Sequence, residues 1–430
     1  MKKSLFALAT VGAFAGAAQA QSSVTVYGIM DVGFQGVTTR GPLTTSNTTP
    51  TKQNFTRFAG EGSETTSRLG FRGTEDLGGG TRAFFTAEFA LAPTDGTLSG
   101  NTNGGLFNRQ AFVGLAQKGI GQGAIGTQYT PIHTAVGRTD PGQQNNMVGS
   151  VIYTTNASQG NGQTATSYTV RYNNSLTLQT ERIAGFMLNA IYSNNNGVGS
   201  NTSTSLPFNN TVGVPRAATT ATTASTNITA TGMGQVDNNA WGVGLNYVWN
   251  KLNVDVAYQT SKNTTTLGGV ANTAAAAPGA AAIAANPVNV MGTNLMQAQT
   301  YAGAVYDFGI LKAYAGYINA KYESTNNANS YVTRSGQQIG VRGNITKTIE
   351  GWASAGSGKI TAGSGIQLPN AVGSSGITGQ NFTAYQVGSN YWLSKRTNMY
   401  AIFGSTQVSS SAVNMSEGAS SYGVGVRHTF

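Results

Sequence analysis

Chemistry in a protein needs side chains that can take a proton, hold a metal or attack a carbon, and this chain is poor in all three. Its 430 residues contain no cysteine and only two histidines, His133 and His428. That count excludes thiol chemistry and any zinc site of the His/Cys type. A hydrolytic triad would have to use His133, and no G-x-S-x-G elbow accompanies it. Two glycine-rich pieces, GFRGTEDLGGG (70–80) and AGSGKI (355–360), superficially resemble phosphate loops. The first lies in a strand–turn–strand context, and the second lacks both the leading glycine and the Ser/Thr after Lys359, so neither meets the structural requirement. No catalytic residue, metal ligand or cofactor site is expected. The residues that remain chemically interesting are charged ones: Arg68, Arg72, Arg82, Glu88, Arg109, Asp140 and Arg171. Such residues do no covalent work, but they set the electric field along a surface or a passage.

The composition says what kind of element holds them. Charged residues make up only 9% of the chain, against roughly 25% in an ordinary soluble domain, while 58 glycines and a mean hydropathy of −0.17 keep it from being greasy. Both features suit a sheet with one apolar and one neutral polar face. The N-terminus, MKKSLFALATVGAFAGAAQA, has two lysines, an apolar run and an Ala18-Gln19-Ala20 cleavage pattern, and so reads as a secretory signal over residues 1–20. A mature domain over 21–430 would then carry a formal charge of 10 − 2 = +8. That charge shows no clustered basic patch of the kind nucleic acid requires. Beyond residue 20 no run of about 18 apolar residues offers a spanning helix.

Alternation with period two runs through the chain. Trp241, Val243, Leu245, Tyr247 and Trp249 oppose Gly242, Gly244 and Asn246, and after Asn250-Lys251 the pattern resumes with Leu252, Val254, Val256 and Tyr258. Each arm has the roughly 9–11 residues of a tilted membrane strand, joined by a two-residue turn. In lipid every backbone N–H and C=O must be bonded within the protein, so strands can span only in a closed barrel. Short connections alternate with long low-complexity ones, expected at 36–66, 93–105, 128–166, 194–239, 261–298, 322–336, 358–381 and 409–419. Eight long loops and seven short turns (among them NSLTLQTERIAG) give fifteen connections and hence sixteen antiparallel strands. Closure also explains why SSYGVGVRHTF alternates up to Phe430: the final strand must pair with the first, the tract Val24–Gly36. The same alternation places Tyr168, Val170 and Tyr172 on lipid and Arg171 inside; it leaves Arg109 in phase with Val113 and Leu115.

SSVTVYGIMDVG, SRLGFRGTEDLGGGTRAFFTAE, LFNRQAFVGL, TVRYNNS, WLSKRTNMY and GVGVRHTF together resemble the general diffusion porins of Gram-negative bacteria, in their beta-proteobacterial (neisserial) branch. The resemblance implies an all-β, sixteen-stranded barrel in the outer membrane, with long external loops, short periplasmic turns and a third loop folded inward. It implies a homotrimer among outer-membrane lipid and lipopolysaccharide, with a water-filled channel for small hydrophilic solutes and anions. It further implies that Phe430 is read by the barrel-assembly machinery, and that Arg68 and Arg109 match a ladder of arginines facing the loop. The third loop departs from the resemblance: Thr127 stands where relatives carry an arginine, and the acidic pair is reduced to Asp140-Pro141 beside Arg138. Fewer carboxylates should leave the constriction net positive and anion-preferring. A substrate-selective channel or a surface adhesin on a β-barrel are the alternative readings.

Overall fold

The protein is described by a computed structural model over residues 23–44, 47–60, 62–94, 109–154, 167–194, 197–200, 233–267, 295–325, 328–363, 379–410 and 415–430. The leader expected at 1–20 lies outside these residues. The strands are β1 (Ser23–Thr44), β2 (Asn47–Ala59), β3 (Arg68–Gly78), β4 (Thr81–Ala90), β5 (Gln110–Gln117) and β6 (Gly121–Tyr129). A short helix, α1 (Pro131–Thr139), follows. Next come β7 (Arg171–Thr180), β8 (Phe186–Asn194), β9 (Gly197–Ser200), β10 (Met233–Trp249), β11 (Leu252–Leu267) and β12 (Leu295–Asp307). The last six are β13 (Lys312–Ser324), β14 (Tyr331–Asn344), β15 (Ile349–Ala362), β16 (Gly379–Trp392), β17 (Thr397–Ser410) and β18 (Met415–Thr429).

Every pairing is antiparallel, and the sheet closes through β1 and β18 with Met30 opposite His428 and Val32 opposite Val426. The last residue completes the seam, because Gly28 and Phe430 exchange both backbone hydrogen bonds at 3.1 Å. Eighteen segments make sixteen barrel strands. β2 and β3 both pair with β1 and are one strand interrupted between Ala59 and Arg68; β8 and β9 both pair with β10; hence 18 − 2 = 16.

The two faces follow the sequence period. Val113, Leu115, Ile125, Val243, Val387 and Val424 point outward and are exposed, as a lipid-facing surface requires, while Gln259, Gln299, Gln386 and Asn390 point inward. At the tight-turn rim Phe186 stacks on Tyr247 (4.3 Å between ring centroids) and Tyr306 meets Phe308 edge-on. Rings that are apolar at one end and wet at the other suit that depth. Asn250 takes φ +49° in the hairpin turn between β10 and β11, a conformation asparagine tolerates better than most residues. No described helix is long and apolar enough to cross a membrane.

Three expectations change. Most of the segment 36–66 is not a loop: β1 continues to Thr44 and β2 runs from Asn47 to Ala59, while the described residues 60 and 62–67 lie outside any strand. Likewise β11 runs on to Leu267 and β13 to Ser324. Thr, Asn and Ser on both faces give no apolar contrast, so alternation becomes invisible where a strand leaves the bilayer. NSLTLQTERIAG is mostly strand, with Leu176 and Leu178 on the outer face and only 181–185 turning. Tyr168 and Tyr172 lie inside rather than on lipid, both almost fully buried. The register between β6 and β7 slips between Gly126 and Gln128, and Asn174 has φ +47°. Such an irregularity reverses the phase of everything beyond it.

Candidate functional site

Leaving β6, the chain turns into the barrel instead of outward. Thr130 caps α1, its hydroxyl accepting from the His133 N–H at 3.3 Å, and Pro131 opens the helix, as their side-chain chemistry favours. Ile132, Ala135 and Val136 are buried with Ile152, Tyr168 and Ile318. A loop inside a barrel must bond its own backbone groups, and inward glutamines do this. Gln259 accepts from Ile132 N–H and donates to Thr169 O, and Gln299 accepts from Thr169 N–H. Gln338 accepts from Val151 N–H at 2.8 Å, and Gln386 donates to Met147 O and Val148 O at 2.8 Å. Arg138 forks onto Asp255 at 2.5 and 3.0 Å. The loop is thereby held against the wall from β11 to β16.

Its tip meets the break between β2 and β3, which also folds inward. Asn146 N–H donates to Ser63 O, and its amide donates to Gly62 O, both at 2.9 Å. Asp31 accepts from the N–H groups of Glu64 and Thr65, and Glu64 accepts from Asn390 and Asn398 and pairs with Arg427. Neither the glutamine rail nor this second inward segment was anticipated. The rail leaves a trace as glutamines at inward phase in YQT, MQAQT, GQQI and YQV.

The opposite wall carries the basic residues. Glu88 accepts from Arg109 Nε at 2.6 Å and from Tyr27 OH at 3.1 Å, with Arg68 at 3.9 Å. Arg109 also donates to Tyr129 OH at 2.8 Å. The Arg171 guanidinium lies over the Tyr129 ring and that of Arg72 over Tyr27, arrangements that leave a cation its charge. Arg109 enters the lumen despite its phase with Val113, because it occupies a bend just before the first residue of β5. Arg82 is exposed on β4 nearer the tight turns, where it and Arg72 line a shared cavity.

Four arginines (68, 72, 109 and 171) thus share one carboxylate, a formal 4 − 1 = +3. The inward loop itself sets no carboxylate against them. Its only acidic residue is Asp140, which sits in the seam with the wall rather than on the passage. Asp140 is buried and accepts from Gln338 Nε2 and Gln144 N–H. Burial pushes its carboxyl up from the usual value, against those bonds and Arg342. His133 packs on Tyr129 at 4.5 Å, with Nδ1 3.3 Å from Tyr168 OH. Burial, then Arg171, Arg109 and Arg68, hold its imidazole well below the usual range, so it stays neutral. Among the described residues no group of three or more His, Asp or Glu could hold a metal ion.

Over 200 residues the chain is 38% identical to an outer membrane porin protein of Bordetella pertussis, covering 45% of this chain. It is 34% identical over 187 residues to outer membrane porin protein 32 of Delftia acidovorans, covering 43% of this chain. In each case the match spans 48% of the relative, about half its length. Among solved structures, an anion-selective porin from Comamonas acidovorans superposes over 95% of this chain and 100% of its own, with a TM-score of 0.61 and 18% identity, a likeness of fold. The Gram-negative porin family description matches residues 5–411, almost the entire length, so this closed barrel belongs to the Gram-negative porin family and to the outer membrane.

Proposed function

We propose that the protein is a passive diffusion channel for small hydrophilic solutes with a preference for anions. One observation carries the reading: the inward loop is fastened to one wall with its single carboxylate turned into the seam, facing a wall of four arginines and one glutamate. Fixed positive charge in a passage with low-dielectric walls concentrates anions and repels cations. Arg68 and Arg109 supply the field at the constriction, with Arg171 beside them; Arg72 and Arg82 extend it toward the tight turns, and Glu88 holds the cluster together. Asp140 contributes by fixing the loop.

The family resemblance supports a homotrimer seated among lipid and lipopolysaccharide, with Phe430 as the residue read during assembly. Purified protein in a planar bilayer should give ion current in triplet steps. Negligible current would favour the adhesin reading, and single uncorrelated steps would remove the trimer.

A further inference from the structure

On the tight-turn side of the arginine–glutamate cluster the lumen wall is hollowed by a cavity of about 440 Å³ between β1, β3–β8 and the start of α1. Its volume falls in the range of small-molecule sites, roughly 300–1,000 Å³. Arg72 lies four residues from Arg68 along β3, about 13 Å at strand rise, so the hollow is displaced from the narrowest charges. Two guanidinium groups line it, those of Arg72 and Arg82, and no carboxylate does. Asp76 stands across from Arg82 in the ladder, but its carboxylate accepts from Gly78 N–H, and among the described residues neither arginine has an ion-pair partner.

The rest of the lining is unusual for a wet lumen. Phe84 and Phe112 point inward and meet edge-on at 6.2 Å, with Ile191 beside them. Gly114 makes room for this: a Cβ there would lie 2.6 Å from Phe84 Cζ. Half-buried rings facing water are unfavourable by the hydrophobic effect and gain from an apolar partner. A phosphate or chloride ion would use the arginines and leave the rings wet. The geometry points to a docking subsite for monoanionic aromatic carboxylates, the carboxylate held by Arg72 and Arg82 and the ring laid on Phe84 and Phe112. The subsite rests on the channel reading and gives it a substrate class: the pore would retain aryl acids on their way through.

The test is current block in a planar bilayer, with sodium benzoate compared with sodium acetate at equal ionic strength. Benzoate should halve the current at a concentration about tenfold below acetate, one aromatic contact's worth, and should act more strongly from the tight-turn side. Phe112→Ala should erase the difference between the two acids, and Arg82→Gln should weaken the benzoate block. Arg68→Gln, which weakens the field for every anion, should lower the block by both acids alike and keep the difference between them. Equal blocking by both acids in the unaltered protein, a preference for benzoate that survives Phe112→Ala, a benzoate block unchanged by Arg82→Gln, or loss of the preference in Arg68→Gln would each overturn the subsite while leaving the channel standing. Absence of any current would bring down the channel reading and the subsite with it.

Discussion

Glu88 is the residue on which the basic wall is organised, since it takes hydrogen bonds from Arg109 and Tyr27 and lies beside Arg68. Glu88→Gln should therefore raise anion preference and also loosen Arg109, which a shifted zero-current potential and a lowered melting temperature would report together. His133 gives a contrasting expectation. An exposed histidine would add positive charge below about pH 6.5, but this one is held neutral well below that value by burial and by three arginines. His133 should accordingly add nothing to selectivity between about pH 8 and 5.5, so that the zero-current potential at fixed salt follows the same pH curve in the unaltered protein and in His133→Gln; a rise in anion preference near pH 6.5 that His133→Gln removes would show a protonating His133. Arg171 was reached only through an outward placement of Tyr168 and Tyr172 that the structure reverses, whereas Arg68, Arg72, Arg82 and Glu88 were legible from alternation as polar-face residues. Arg109 was not, because period two holds only within a strand and this residue precedes one.

At the scale of elements, the inward loop is fixed by side chains from strands far away in sequence. Gln386 satisfies two loop carbonyls and exchanges hydrogen bonds with Asn145. Gln386→Leu leaves those carbonyls buried and unpaired, at about 1–3 kcal/mol each. The expected result is a noisier open-channel current and a lower melting temperature; quiet current would mean the loop holds without its rail. Arg138→Ala strands Asp255, only 1% exposed, and breaking one side of a buried pair costs about 3–5 kcal/mol. That an inward loop existed was an expectation from resemblance. Which groups hold it could not be read, since each contact joins residues more than eighty positions apart and nothing local records the pairing. Strand ends were misplaced for a different reason: β1 and β2 extend through polar sequence where both faces look alike.

The whole molecule depends on closure. Sixteen strands and their seam were legible because alternation, the succession of long and short connections and the final residue all agreed, and the seam is where β1 meets β18. The Phe430 ring covers Gly28 so closely that a Cβ there would lie 2.4 Å from its Cζ. Gly28→Val should push the ring off the seam and lower the temperature at which the folded barrel opens in detergent. Only the field inside the closed barrel is then left to decide what passes. The most direct measurement of it is the zero-current potential of the purified channel across a tenfold KCl gradient. A potential whose sign marks chloride as the more permeant ion, shrinking in molar salt as the Debye length falls to about 3 Å and reduced by Arg68→Ala, is the expected result. A potential marking potassium as the more permeant ion would contradict the positively charged passage described here.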